Sequence, residues 1–287
     1  MSIIIDNLSY AYACGTPYET LALDHVHLEI QDGEYLGIMG RTGCGKSTLI
    51  QLMAGLLEPL NGTILLNNED INDKRYNRNK LRQTIGIVFQ FPEYQLFEST
   101  VEKDVSFGLK HYELSKDEVN NRVRSAIEFV GFEFEEVKAL SPFSLSGGEK
   151  RRIAIAGVLA MQPSILIFDE PIAGLDPSGR DEFLRLIDQL HANGVTIIMV
   201  SHNIDIIFEH AKRLLILDTG TLAFDGLIEE AMEHPEFLIQ TGVGVSQTYE
   251  VARFMHSYDT IFPKNIYNYD EMILALTAYG KRRFEHE

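Results

Sequence analysis

The chain opens with stretches in which apolar and polar positions alternate. Ile3–Tyr12 (IIIDNLSYAY) alternates loosely and His25–Ile30 (HVHLEI) alternates cleanly, as strands with one buried face do. EYLGIMG (34–40) is an apolar strand running into glycine, and KSTLIQLMAGLL (46–57) then reads as a helix. GTILLN and TIGIVFQ are further short strands bounded by turn residues. From Gln90 to Pro163 the period becomes mostly helical, as in KDEVNNRVRSAIEFV. SILIF, VTIIMV and RLLILD are continuous apolar runs, the pattern of parallel strands covered on both faces. Helical segments separate these runs, which predicts an α/β core. TGTLAFDG predicts a terminal hairpin. After about Gly226 strands stop, aromatics rise, and two helices are expected, SQTYEVARFMHSY and DEMILALTAYGKRRFE, joined through FPKN.

Composition narrows this picture. With 287 residues, 45% hydrophobic and 23% charged, the chain has material for a real core and a small appendage. The net charge of −17 repels phosphate backbones, so no nucleic-acid partner is expected. Cys14 and Cys44 are the only cysteines and lie far apart, which predicts neither a disulfide framework nor a cysteine metal site and fits a reducing cytoplasm. The N-terminal residues lack a basic region followed by a long apolar one, so no signal peptide is expected. No run of about 18 apolar residues occurs, so any membrane role is expected to come through a partner.

The candidate chemistry sits at strand ends. GRTGCGKST (Gly40–Thr48) fits G-x-x-x-x-G-K-[ST] through Gly40, Gly45, Lys46 and Ser47, between a predicted strand and a predicted helix. Its glycines free backbone amides for phosphate, Lys46 reaches the β- and γ-phosphates, and the Ser47 hydroxyl suits Mg²⁺. In SILIFDEP, Asp169 ends an apolar strand and is placed to hold Mg²⁺ through water, with Glu170 placed to orient or deprotonate an attacking water. His202 ends the next apolar strand (MVSHN), a position suited to a γ-phosphate contact, and Gln90 closes TIGIVFQ with an oxygen suited to Mg²⁺ or water. LSGGEKRR (Leu145–Arg152) resembles a further phosphate site, because small residues precede a helix whose first amides lack partners.

In order, these motifs resemble an ABC-type ATPase over about Ile3–Gly226. The resemblance implies an α/β P-loop NTPase fold: a RecA-like core, an antiparallel β subdomain, an inserted helical subdomain at about 91–160, and a small C-terminal α domain at 227–287. It implies ATP and Mg²⁺ as cofactors. Gly40, Thr42, Gly43, Cys44, Gly45, Lys46, Ser47 and Thr48 then form Walker A. Ser47, Gln90 and Asp169 are metal-binding, and Glu170, His202 and Lys46 are catalytic. Tyr12 stands where the family puts its adenine-stacking aromatic, with Tyr10 a competing choice. LSGGE (Leu145–Glu149) resembles the ABC signature and AGLD (Ala173–Asp176) the D-loop. The family dimerises head to tail, so Ser146, Gly147, Gly148, Glu149 and Asp176 are expected to serve a nucleotide held by a second ATPase.

FQFPEYQLFESTVEKDVSFG and SLSGGEKRRIAIAGVLAMQP are most similar to the ATPases of energy-coupling factor (ECF) importers of vitamins and metals, and to the second of their paired subunits. That implies ATP hydrolysis coupled to transport at the cytoplasmic face of the membrane. The implied partners are a second ATPase, a transmembrane coupling protein (EcfT type) and, indirectly, a substrate-capturing membrane protein (S component). The ATPase of an ordinary binding-protein-dependent importer is the alternative. Glu93, Glu98, Glu102 and Asp104 are expected to meet arginines of the coupling protein. Asn203 follows the switch histidine where an acidic residue is common. Cys44 replaces the usual serine and, at a helix N-terminus, is expected to have a lowered thiol pKa. Tyr249, Phe254, Met255, Tyr258 and Phe262 are read either as a dimer interface or as a small internal core.

Overall fold

In the computed structural model, which describes residues 2–267 and 269–284, the alternating stretches form β1 (Ile3–Tyr12) and β2 (Thr20–Ile30), paired antiparallel. β3 (Tyr35–Met39) leaves for a second sheet and feeds α1 (Lys46–Met53). β4 (Asn61–Leu66) returns to β1, and β5 (Glu69–Asp70) completes the antiparallel order β2-β1-β4-β5. α2 (Arg78–Thr84) leads into β6 (Ile85–Val88). Next come a 3-10 turn at Pro92–Gln95, α3 (Val101–Ser106), α4 (Lys116–Phe129), α5 (Phe134–Val137) and α6 (Gly147–Leu159). These helices occupy the stretch from Pro92 to Leu159. Ser115 with Glu118 and Ser146 with Glu149 form capping boxes that start α4 and α6, each satisfying two orphan amides.

β7 (Ile165–Asp169), α7 (Pro177–Ala192), β8 (Thr196–Val200), α8 (Ile204–His210), β9 (Arg213–Asp218) and β10 (Thr221–Leu227) complete the core. Among the described residues the second sheet runs β10-β9-β3-β8-β7-β6, parallel from β9 to β6, with the expected hairpin turning β10 back antiparallel. Every residue of β3 and β8 is buried, which is why their sequences are continuous apolar runs rather than alternating ones.

The C-terminal part begins later than composition implies. α9 (Ile228–Met232) and α10 (Pro235–Gln240) send Ile228, Ala231 and Leu238 into the same core as the sheet, followed by Val243. A separate small core appears only with α11 (Gln247–Tyr258) and α12 (Tyr269–Phe284), built on Ala252, Phe262, Ile266 and Met272. The last residue of the helix expected there, Glu285, lies outside the described residues. The two readings of the aromatic set divide between residues. Tyr249 and Phe262 are buried and Met255 packs on the small core, whereas Phe254 and Tyr258 are 60% and 78% exposed.

This appendage is tied to the core near its chemistry. Arg41 Nη2 donates to Gln240 O at 2.5 Å, and the Gln247 N–H donates to Asp205 Oδ1 at 3.2 Å.

Gly37 shows how tightly α8 seats on the sheet. A Cβ there would stand 2.4 Å from Ile207 Cγ2, so the helix that follows His202 needs a bare backbone beneath it. Gly37→Ala is expected to destabilise the chain by about 1–3 kcal/mol, read as a lower urea midpoint at unchanged slope.

Candidate functional site

The parallel ladder brings four motifs to one end of the sheet. Ile38 pairs with Val200, Asp169 with Val200, and Val88 with Phe168. The residues just beyond these strands therefore line up as neighbours: Gly40, His202, Glu170 and Gln90. β6 stops at Val88, so Gln90 does not end the strand as expected but stands exposed two residues past it. Carboxyl ends of strands in open α/β sheets are where ligands bind.

The phosphate loop is built by close approach. A Cβ on Gly40 would lie 2.1 Å from Leu217 O, and one on Gly45 would lie 2.5 Å from Ala22 O with φ at +109°. Gly45 caps α1 without a side-chain cap, leaving first-turn amides, including those of Ser47 and Thr48, for another acceptor. Lys46 is 6% exposed, and its ammonium is held by Gly40 O at 2.7 Å and Arg41 O at 3.0 Å. A buried cation held by neutral carbonyls retains its charge for an anion. Thr48 Oγ1 lies 3.0 Å from the Tyr12 hydroxyl. Tyr12 is 43% exposed beside the loop, while Tyr10 packs against the core, so the ring available for stacking is that of Tyr12.

Cys44 does not meet its expectation. It is buried, with Sγ 3.9 Å from Lys46 Nζ, and burial pushes its thiol pKa up, more than the lysine charge pulls it down. The dehydration of the thiolate outweighs the helix terminus.

Asp169 and Glu170 are both desolvated. Burial raises the Asp169 pKa, opposed by a Ser47 hydrogen bond and the Lys46 charge. Burial raises the Glu170 pKa as well, with the Asp169 charge adding to it and the His202 backbone N–H lowering it. That N–H donates to Glu170 Oε2 at 3.3 Å. Glu170 Oε1 is buried without a hydrogen-bond partner, although His202 Nε2 is only 3.2 Å away. Burial, then Lys46, depress the His202 pKa, favouring a neutral ring. An orphaned, desolvated carboxylate oxygen beside a neutral imidazole is arranged to accept a proton from a small polar molecule. Asn203 caps α8 by accepting from the N–H groups of Asp205 and Ile206, so the departure from an acidic residue preserves the cap.

These residues fit a nucleoside triphosphate with a hard divalent ion. Ser47 is close enough to Asp169 to lower its carboxyl pKa, and such an ion would take that hydroxyl and that carboxylate together with phosphate oxygens. Among the described residues no cluster of three His, Cys, Asp or Glu side chains forms a protein-only cage.

The signature stands apart from this loop. Ser146 Oγ caps α6 by accepting from the Glu149 N–H, Glu149 Oε2 accepts from the Ser146 N–H, and Gly147 and Gly148 face open space. Ser146, Gly148 and Glu149 line a cavity of about 380 Å³ with Asp176, Gly179 and Glu182, and no residue of Gly40–Thr48 lines it. Asp176 also caps α7, accepting from the Gly179 N–H at 2.7 Å.

Two of the four acidic residues after Gln90 are engaged within the chain. Asp104 Oδ2 accepts from the N–H groups of Phe97 and Glu98 at 2.9 and 2.7 Å, and Glu98 pairs with Lys110 at 3.2 Å. What the segment shows instead is aromatic. Tyr94 and Phe97 are 83% and 56% exposed, and Phe97 meets Phe107 edge to face. The sequence reading missed this surface because exposed and buried aromatics look alike without the packing. It also missed buried Arg151, whose only signal is a cation one helical turn before Ile155 on the inner face of α6.

Residues 23–173 match the ABC transporter family model. The chain is 46% identical over 254 residues to the energy-coupling factor transporter ATP-binding protein EcfA2 of Clostridium perfringens, covering 88% of this chain and 89% of that protein. It is 47% identical to its Clostridioides difficile counterpart over 88% of each. Among solved structures it is similar to cbiO1 of Clostridium perfringens, part of the ABC transporter complex cbiONQ. That likeness has a TM-score of 0.73 and 37% identity over 88% of this chain and 98% of that one. A dimeric, post-hydrolysis cassette, MJ0796 bound to ADP and Pi, matches with a TM-score of 0.68 and 28% identity over 79% and 98%.

A carboxylate whose folded pKa is raised binds its proton more tightly in the folded than in the unfolded state, so it lowers stability as pH rises. Glu170→Gln removes one such charge. The nucleotide-free variant is expected to melt about 2–4 °C higher than the parent at neutral pH. The gap should close as pH falls toward the ordinary carboxylate range, checked by calorimetry across pH.

Proposed function

This chain belongs to the ABC transporter family, and on that premise we propose a working account of how it powers transport. It is an ATP-binding and ATP-hydrolysing subunit of an energy-coupling factor importer, and it works with another ATPase and a membrane component. The observation that carries the account is the orphaned Glu170 Oε1 beside His202 and the phosphate loop, together with a signature whose glycines face outward.

Each residue has a role the geometry supports. The Tyr12 ring stacks on the base, and the amides of Gly40–Thr48 with Lys46 hold the phosphates. Ser47, Asp169 and Gln90 would hold Mg²⁺, which when bound offsets charge on the phosphoryl oxygens. Glu170 Oε1 takes the proton of the attacking water, and His202 Nε2 contacts the terminal phosphate. Ser146, Gly147, Gly148, Glu149 and Asp176 complete a site whose phosphate loop belongs to the second ATPase, head to tail and with a non-identical chain.

The membrane component is a coupling protein of the EcfT type, with the S component further off, and the chain lies peripherally on the cytoplasmic face. No described helix is long and apolar enough to cross a membrane. The docking face combines Tyr94 and Phe97 with a neighbouring cavity of about 330 Å³ lined by Leu56, Ile87, Phe107, Tyr112 and Met161. Exposed Phe254 and Tyr258 extend the contact between the two ATPases through the C-terminal part.

Two measurements test the account. Phe97→Asp with Tyr94→Asp is expected to weaken co-purification with the membrane component about tenfold, while nucleotide binding persists. Undiminished co-purification removes this face from the docking surface. Ser146→Arg is expected to lower hydrolysis at the site built on the second ATPase's loop by about tenfold or more, and to leave nucleotide binding at Lys46 intact. Site-selective labelling with an azido-nucleotide separates the two sites.

A further inference from the structure

The signature helix carries a buried cation that none of these roles uses. Arg151 is 4% exposed, a rare state for arginine. Its Nη1 donates to Ala173 O at 2.9 Å and its Nη2 to Pro171 O. Its Nε is buried without a hydrogen-bond partner. Burial works against its charge, and the negative charge that supports it is that of Glu93, on the 3-10 turn just past Gln90. Glu93 Oε2 is likewise buried without a hydrogen-bond partner. A buried charge persists where an opposite charge and oriented dipoles compensate its dehydration. Here the dipoles come from one loop and the opposite charge from another.

The loop that supplies the dipoles comes directly after Glu170. Glu170 has φ +49°, a left-handed conformation that a side-chain-bearing residue adopts at a cost. The surrounding structure must hold it. The Glu170 N–H donates to Val200 O at 3.0 Å and the Ala173 N–H to Glu170 O at 3.2 Å, which fixes the backbone on both sides. Arg151 pins the far side of the same turn through the carbonyls of Pro171 and Ala173. On its other flank, a Cβ added to Gly174 would touch Phe91 at 3.6 Å, so the segment carrying Glu93 also packs against this turn.

We propose that Arg151 is a positioning residue: balanced by Glu93, it holds the Pro171–Ala173 turn and thereby aims Glu170, linking the segment that faces the membrane component to the hydrolytic carboxylate. Displacement of Glu93 is then transmitted through one guanidinium to the turn that carries Glu170. The lysine that is nearest in charge does not replace it, because one ammonium lacks the planar fork that reaches two carbonyls together.

The proposal rests on the reading of Glu170 as the proton acceptor, so the test separates the two. In the assembled transporter, ATP hydrolysis is measured for Glu93→Gln, Arg151→Lys, Arg151→Met and the double variant Glu93→Gln/Arg151→Met, with Glu170→Gln alongside. Arg151→Met is expected to lower kcat about tenfold and Arg151→Lys about threefold, with KM for ATP within twofold of the parent, the split expected of a displaced carboxylate rather than a damaged nucleotide site. Glu93→Gln is expected to lower kcat about threefold alone and to add nothing in the Arg151→Met background. Wild-type kcat in both Glu93→Gln and Arg151→Lys, or independent, multiplying losses, overturns the relay. If Arg151→Met fails to fold, those two single variants decide. Wild-type turnover in Glu170→Gln removes the premise instead. Collapse in Glu170→Gln with unaffected Glu93→Gln and Arg151→Lys retires the relay alone.

Discussion

The parallel hydrogen-bond ladder of β3, β8, β7 and β6 is the constraint on which the rest depends. Parallel strands place all their carboxyl ends on one side, and the register here is close to level. Gly40–Thr48, His202, Glu170 and Gln90 are dispersed along the chain, yet each comes just after a strand of this ladder. No long-range side-chain contact is needed to gather them. The cost of this economy is dehydration: Asp169 and Glu170 sit where burial disfavours their charges, and Lys46 is a buried cation held by carbonyls. The free chain therefore stores an electrostatic imbalance that anionic phosphates and a divalent ion would relieve.

The inserted helices do different work. They hold α6 with its exposed N-terminus, and they turn Tyr94 and Phe97 outward. A cap that spends Ser146 and Glu149 on each other keeps the first turn of α6 rigid while Gly147 and Gly148 leave it bare. A bare, ordered helix start offers its free N–H groups to an anion that reaches it from outside. Between this helix and the loop after Glu170 lies a buried cation, Arg151, where an all-apolar contact would have sufficed for packing alone.

Much of this was legible in the residues themselves. The continuous apolar runs became the central strands, the glycine-rich loop became a loop between β3 and α1, and Asp169 ended β7 with Glu170 directly after it, while His202, like Gln90, stands two residues past its strand rather than at its end. Other readings failed for identifiable reasons. Composition put the C-terminal boundary near 226, but Ile228, Ala231 and Leu238 pack with the main core; a rise in aromatic content does not report which core a helix joins. A helix N-terminus predicted a reactive Cys44, but burial at that site outweighed it.

Motif and period are local properties, so the residues alone determined the local features: the glycine-rich strand–loop–helix, the apolar strands and the start of α6. Tertiary structure alone decided whatever depends on neighbours distant in sequence. Burial of both carboxylates and the cysteine, exposure of Tyr12 rather than Tyr10, the inward turn of Arg151 and the outward turn of Phe97 all depend on which surfaces meet. Dehydration is a property of the whole packing around a group, and no stretch of sequence carries it.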